Sequence, residues 1–112
     1  MPQLLFPDKF IWGTSTAAYQ IETAADIDWR GLQCLDGSTF DRCSEHDKRR
    51  MEDADLIIQL SNGYRMSCDW AKLQAAPYAP FDEGVKQEYL AFLQKLKDNG
   101  IHIMMVIGRA HV

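Results

Sequence analysis

Three cysteines, a histidine and an acid-flanked basic run are the residues of this chain whose types could carry chemistry. Cys34, Cys43 and Cys68 taken with His46 make up a ligand set that a zinc ion could accept. No Cys-x-x-Cys pair or other paired spacing occurs among them, so no metal and no other cofactor is expected, and the thiols read as core or surface residues. An odd number cannot pair fully within one chain, which points to a reducing compartment and so to a cytoplasmic location. Lys48-Arg49-Arg50 has the charge of a phosphate site, but Asp47, Glu52 and Asp53 flank it and cancel the field. It therefore reads as a solvated helix surface. Taken alone, Gln20 reads as a polar residue at a strand end and Arg65 as half of a buried ion pair.

The elements that must position these residues follow from periodicity. Residues 10–15 are short, aromatic and β-branched after Pro7-Asp8, and read as a first strand. Residues 26–42 hold no period of two or 3.6; with Gly31 and the turn-like Asp36-Gly37 they form a loop of a length that is usually functional. Ser44 followed by Asp47 resembles a helix N-cap, and Met51, Ala54, Ile57, Ile58 and Leu60 recur at helical spacing, which predicts a helix over 45–60 stopped by Asn62-Gly63. Residues 64–70 alternate, with Tyr64, Met66, Cys68 and Trp70 on one face and Arg65, Ser67 and Asp69 on the other. Asp82 can cap a second helix whose stripe is Val85, Tyr89, Phe92, Leu93 and Leu96, ended by Asn99-Gly100. Residues 101–107 form a nearly continuous apolar run, as expected of a parallel strand covered on both faces. The order β-α-β-α-β predicts an α/β fold with one parallel sheet and right-handed crossovers.

Composition bounds the rest. The chain has 112 residues, 46% hydrophobic and 25% charged, inside the range of folded domains. Its formal charge of −4 and pI near 5.2 lack the basic footprint of nucleic-acid or anionic-membrane binders. No apolar run approaches the roughly 20 residues of a membrane span, and the start has no basic region of the secretory kind. No nucleic-acid and no membrane partner is expected.

One pattern is far more specific than these. The fifteen residues from Phe10-Ile11-Trp12-Gly13 through Tyr19-Gln20-Ile21-Glu22-Thr23-Ala24 carry aromatic, small and polar residues in a fixed order. His46, Arg49, Glu52 and Asp53 then follow as His-x-x-Arg-x-x-Glu-Asp, and Tyr64-Arg65-Met66-Ser67-Cys68-Asp69-Trp70 closes the set. In this order the segments resemble the N-terminal part of glycoside hydrolase family 1, the β-glucosidases and their relatives, over residues 6–107. The resemblance implies a partial (β/α)₈ TIM barrel, limited to its first β-α-β-α-β segment, because a full barrel needs roughly 250 residues.

The same resemblance implies a retaining β-glycosidase in carbohydrate metabolism, whose two carboxylates stand about 5 to 5.5 Å apart. In the family these follow the fourth and seventh strands, so neither is expected in this chain, and the chain alone is expected to be inactive. Gln20 matches the glutamine that hydrogen-bonds sugar hydroxyls, its amide offering both donor and acceptor. Arg65 matches the arginine that orients the nucleophile through its fixed fork. The implied partner is a β-linked glycoside or monosaccharide. Thr23 stands where the family has Gly, the loop after it lacks Ser-x-Trp-Asp, and Lys72 replaces Arg. Gly108-Arg109-Ala110 departs from the family's two histidines and an aromatic, so His111 takes no sugar-binding role and 108–112 read as a divergent tail. A truncated or frame-shifted product is the expectation, with self-association through an unpaired sheet edge. The alternative is a carbohydrate-binding or interaction module that pairs with a complementary barrel fragment.

Overall fold

A computed structural model of the chain describes residues 2–23, 27 and 29–106. Its elements are β1 Gly13–Ser15, α1 Ala18–Ile21, α2 His46–Leu60, β2 Gly63–Ser67, α3 Trp70–Leu73, α4 Glu83–Asp98 and β3 His102–Val106. The three strands form one parallel sheet in the order β1-β2-β3, with Ser15 opposite Arg65 and Arg65 opposite Met104. The predicted α/β order is therefore present, with the short helices α1 and α3 inserted after β1 and β2. Ile107 and the tail 108–112, including His111, lie outside the described residues, as do Ala24 and part of the 26–42 loop.

Helix α4 forms as its sequence dictates. The Asp82 carboxylate accepts from the Val85 N–H at 2.9 Å, satisfying an orphan donor of the first turn. At the other end Gly100 takes φ of +75°, and the Gly100 and Ile101 N–H groups donate back to Lys97 and Leu96 carbonyls at 3.1 Å. That left-handed exit favours glycine and aims the chain directly into β3. The apolar stripe of α4 then meets the sheet: Phe92 and Leu96 are fully buried against Tyr64, Met66, Ala54 and Ile101, with Val85 and Leu93 packed around them.

Helix α2 departs from expectation at its start. Glu45, in a left-handed conformation, occupies the N-cap position without a side-chain capping bond, its carboxylate accepting from Arg42 and Lys48 instead, while the Ser44 hydroxyl donates to the Ile21 carbonyl at 3.1 Å. Tertiary contact with the segment after β1 has taken the hydroxyl that the local pattern assigned to capping. The helix is kinked at Arg49, and only Ala54, Ile57 and Ile58 of the predicted stripe reach the core; Met51 and Leu60 are exposed.

The strands are shorter than their apolar runs. Phe10 and Trp12 precede β1, where the Asn62 side chain takes the Trp12 N–H at 2.6 Å and donates to the Phe10 carbonyl at 3.2 Å. The Asn62 backbone N–H also donates to the Trp12 carbonyl at 3.0 Å, so one residue holds this segment to the start of β2 by both its side chain and its backbone. Gly63 begins β2 against Gly13, and a Cβ on Gly63 would run into the Ile11 side chain, so this close approach requires glycine. β2 ends at Ser67 because Asp69 turns the chain, its carboxylate capping α3 through the Ala71 N–H at 3.1 Å. Trp70 thus sits on a helix, not on the strand.

β3 corrects the expectation of a strand covered on both faces. Ile101 is buried at its entry and Ile103 is half-buried, but Met104, Met105 and Val106 are exposed. Helix α4 packs on it, and among the described residues β2 is the one strand that pairs with it. A continuous apolar run marks a strand suited to burial on both faces; the covering has to come from other elements.

Candidate functional site

Two residues with an implied role lie beyond the C-terminal ends of β1 and within β2. Gln20 belongs to α1, the single turn entered directly from β1, and not to a strand end as its surroundings in sequence suggest. Its side chain is exposed, with Oε1 accepting from the Ala17 N–H at 3.2 Å. The amide NH₂ has no partner among the described residues. The turn is tied to β2 at its start: Thr16 N–H donates to the Arg65 carbonyl, and Ala18 N–H to Ser67 Oγ, both at 3.0 Å.

Arg65 stands on the face of β2 opposite the core. Tyr64 and Met66, its neighbours on either side, are each 3% exposed and packed on the helices, so strand alternation turns Arg65 away from them into solvent. Its Nη2 donates to Ser15 Oγ across the β1–β2 register at 3.4 Å, and it forms no ion pair among the described residues. The reading of Arg65 as half of a buried ion pair is therefore overturned. A guanidinium held on a strand, with most of its donors free, suits recognition of an oxyanion or carboxylate.

The buried ion pair is found elsewhere, between Glu22 and an arginine, Arg50, that its acid-flanked basic run had assigned to a solvated helix surface. Glu22, 1% exposed, lies at the end of α1 and is bonded by Arg50 Nη2 from α2. The Tyr89 hydroxyl of α4 lies 2.8 Å from Glu22 Oε2 and 3.1 Å from Oε1, and accepts from the Asp69 N–H at 2.8 Å. Arg50 also reaches Glu88 at 2.8 Å and lies over the Tyr89 ring, 4.3 Å from its centroid. Burial first, and the Glu22 charge second, push the Tyr89 phenol well above its ordinary pKa, so it stays protonated as a donor. Arg50 is nearly buried, whereas Lys48 and Arg49 beside it are exposed; the basic run is thus a solvated surface at two positions and a core ion pair at the third.

Two smaller polar groups surround this one. Asp47 accepts from the Thr23 N–H at 2.8 Å and its hydroxyl at 3.0 Å; burial raises the Asp47 pKa, but these bonds and nearby Lys72 outweigh it and hold the carboxyl below its ordinary value. Lys72 lies between Asp47 at 3.7 Å and Asp69 at 3.8 Å. On the core side, buried His46 pairs through Nδ1 with Asp53 at 2.6 Å and meets the Phe92 ring edge-on. His46, Glu22 and Asp53 of the sequence pattern therefore serve packing and anchoring within this chain. Their only sequence signal was their fixed offset from Gln20 and Arg49.

The three cysteines are free and half-buried, and burial raises the thiol pKa of Cys43 and Cys68. Among the described residues no three His, Cys, Asp or Glu side chains converge on a metal position. No described helix is long and apolar enough to cross a membrane.

Comparison with known proteins accounts for this arrangement. The family model for glycosyl hydrolase family 1 matches residues 3–108. Beta-glucosidase 1B of Phanerodontia chrysosporium is 31% identical over 109 residues, covering 87% of this chain and 20% of that protein. Among solved structures, a family 1 β-glucosidase from Thermotoga maritima is similar with a TM-score of 0.80 and 27% identity, over 93% of this chain and 26% of that one. A GH1 β-glucosidase from the fungus Humicola insolens in complex with glucose gives a TM-score of 0.70 at 30% identity, over 88% and 24%. The chain thus spans about a fifth of the curated relative's length and about a quarter of the solved structures. With a match over nearly its whole length and a parallel sheet that superposes on barrel enzymes, the chain belongs to glycosyl hydrolase family 1.

Proposed function

We propose that this chain is the sugar-facing N-terminal part of a β-glucosidase-like barrel, in which Gln20 bonds sugar hydroxyls and Arg65 orients a carboxylate supplied from outside residues 2–106. The observation that carries this reading is the placement of Arg65: a guanidinium with free donors on the open face of β2, beside Ser15 and just before the turn that bears Gln20 is bonded to the same strand. Barrel enzymes build their sites at the C-terminal ends of the strands. The substrate class is a β-linked glycoside, and the relative solved with glucose supports the sugar.

By itself the chain is inactive in this reading. Retaining hydrolysis needs one carboxylate as nucleophile and one as acid/base, whereas Glu22 and Asp69, the acids nearest the strand ends, are buried and committed to Arg50, Tyr89, Ala71 and Lys72. Purified chain incubated with aryl β-glucosides is expected to release no phenol above blank. Turnover that copurifies with the chain and disappears on Glu22→Gln or Asp69→Asn would overturn this.

A second reading, an interaction module that pairs with a complementary barrel fragment, draws on the exposed apolar residues of β3 and on the exposed cluster of Phe6, Phe10 and Trp12, whose rings meet tilted or edge-on with centroids 4.6 to 4.7 Å apart. Without such a fragment the free edge of β3 is expected to drive self-association, which sedimentation would detect. A cytoplasmic location is proposed on the three free thiols, and fractionation tests it.

A further inference from the structure

The segments that leave β1 and β2 are joined a second time, away from the sheet, by groups that neither strand supplies. Glu22 ends the α1 turn that carries Gln20, and Asp69 follows the strand that carries Arg65. Between them stands one hydroxyl, that of Tyr89 on α4. It has a single proton to give, which goes to the Glu22 carboxylate at 2.8 Å, and its oxygen accepts the Asp69 N–H at 2.8 Å. All three residues are at least nine-tenths buried, so no water competes for these bonds. Arg50 balances the Glu22 charge and covers the Tyr89 ring, leaving the phenol no other orientation that satisfies both neighbours.

We propose that Tyr89 is a positioning residue, setting the α1 turn of Gln20 against the exit of β2 through Glu22 and the Asp69 backbone. The start of the turn is held to β2 by Thr16 and Ser67, whereas its end is held to α2 and the segment before it, through Arg50 on Glu22, Asp47 on Thr23 and Ser44 on Ile21. Without the Tyr89 hydroxyl no hydrogen bond among the described residues ties that end to the exit of β2, and Gln20 is free to shift relative to Arg65. A phenylalanine at 89 keeps the ring under Arg50 and leaves the Glu22–Arg50 pair in place, removing only the link. The proposal rests on the reading of Gln20 as a sugar contact for its consequence, but not for its geometry.

Amide hydrogen exchange on the full chain tests the geometry. In Tyr89→Phe, exchange at Gln20, Glu22 and Asp69 is expected to rise together by at least tenfold, while the β2–β3 ladder and Ile101 stay within twofold. A uniform rise at every amide would mean a merely structural role and overturn the proposal. So would an unchanged Gln20, or a Gln20 amide already unprotected in the native chain. Should Tyr89→Phe fail to fold, the native chain decides: Gln20, Glu22 and Asp69 are expected to exchange through one shared opening with the same dependence on denaturant, and separate dependences for the three would overturn the link. Glucose titration followed through the Gln20 side-chain amide tests the consequence: the native signal saturates, and Tyr89→Phe needs at least threefold more glucose. Equal affinities would overturn the positioning of a sugar contact. No glucose response in the native chain would instead defeat the reading of Gln20, while the exchange result still decides the link.

Discussion

Along β2, side chains one residue apart live under opposite conditions. Tyr64 and Met66 are sealed against Ala54, Phe92 and Leu96, and the Tyr64 hydroxyl is bonded to Thr16 Oγ1. Arg65 between them touches a hydroxyl on the next strand and otherwise faces solvent, with Met104 exposed beside it across the register. The helix-covered face is completed within this chain; the open face is not. Stability is therefore concentrated on one side of the sheet, and the residues free to meet a ligand on the other. A barrel enzyme separates these tasks in the same sense, keeping packing between strands and helices and its site at the strand ends.

The contrast breaks most visibly at Phe92. Its truncation to alanine is expected to cost about 3–5 kcal/mol, since it is fully buried and leaves a cavity among Tyr64, His46 and Ala54. Urea unfolding followed by circular dichroism should show loss of the cooperative transition, and a small shift would mean that the helix-covered face is not the seat of stability. Arg50→Ala comes next, at about 3 kcal/mol or somewhat more by the same measurement, because it strands the Glu22 carboxylate in the core.

Alkaline pH gives a smaller effect with a definite sign. Tyr89 and Tyr64 have folded pKa values raised above the ordinary tyrosine value, chiefly by burial, so their protonated forms favour the folded state. Their contribution is fully present below about pH 10, where unfolded tyrosines are also protonated, and is lost as pH rises beyond that. Thermal melts between pH 8 and 11 should fall at the upper end, and Tyr89→Phe should flatten that fall. Asp47 works at the acid end: its folded pKa is lowered, so its stabilisation is present above the ordinary carboxylate value of about 3.9 and disappears as pH falls through the folded value. Thr23→Ala should reduce that acid sensitivity.

The smallest effect on stability sharpens the comparison from the open side. Arg65→Ala is expected to leave the unfolding midpoint within about 0.5 kcal/mol of native, since the side chain is exposed and its only described partner is Ser15 at 3.4 Å. A large loss would place Arg65 in the packing of the sheet and remove the ground for its proposed role.

What the sequence determined by itself is what depends on neighbours a few residues away. The stripe of α4, its Asp82 cap and its Gly100 exit are local patterns, and each stands in the structure as the spacing predicts. The alternation of β2 likewise decided that Arg65 and Met66 face opposite ways, and the ordered motifs carried the family. Tertiary structure decided the rest. Glu22 is bonded to Arg50 across 28 positions and to Tyr89 across 67, and no period or composition signals such a partnership. Ser44 lost its capping role to Ile21, Asp69 left the strand to cap α3, and the apolar run of β3 stands largely exposed. Hydropathy records which side chains can be buried at a profit in free energy; only the elements brought alongside them determine which ones are.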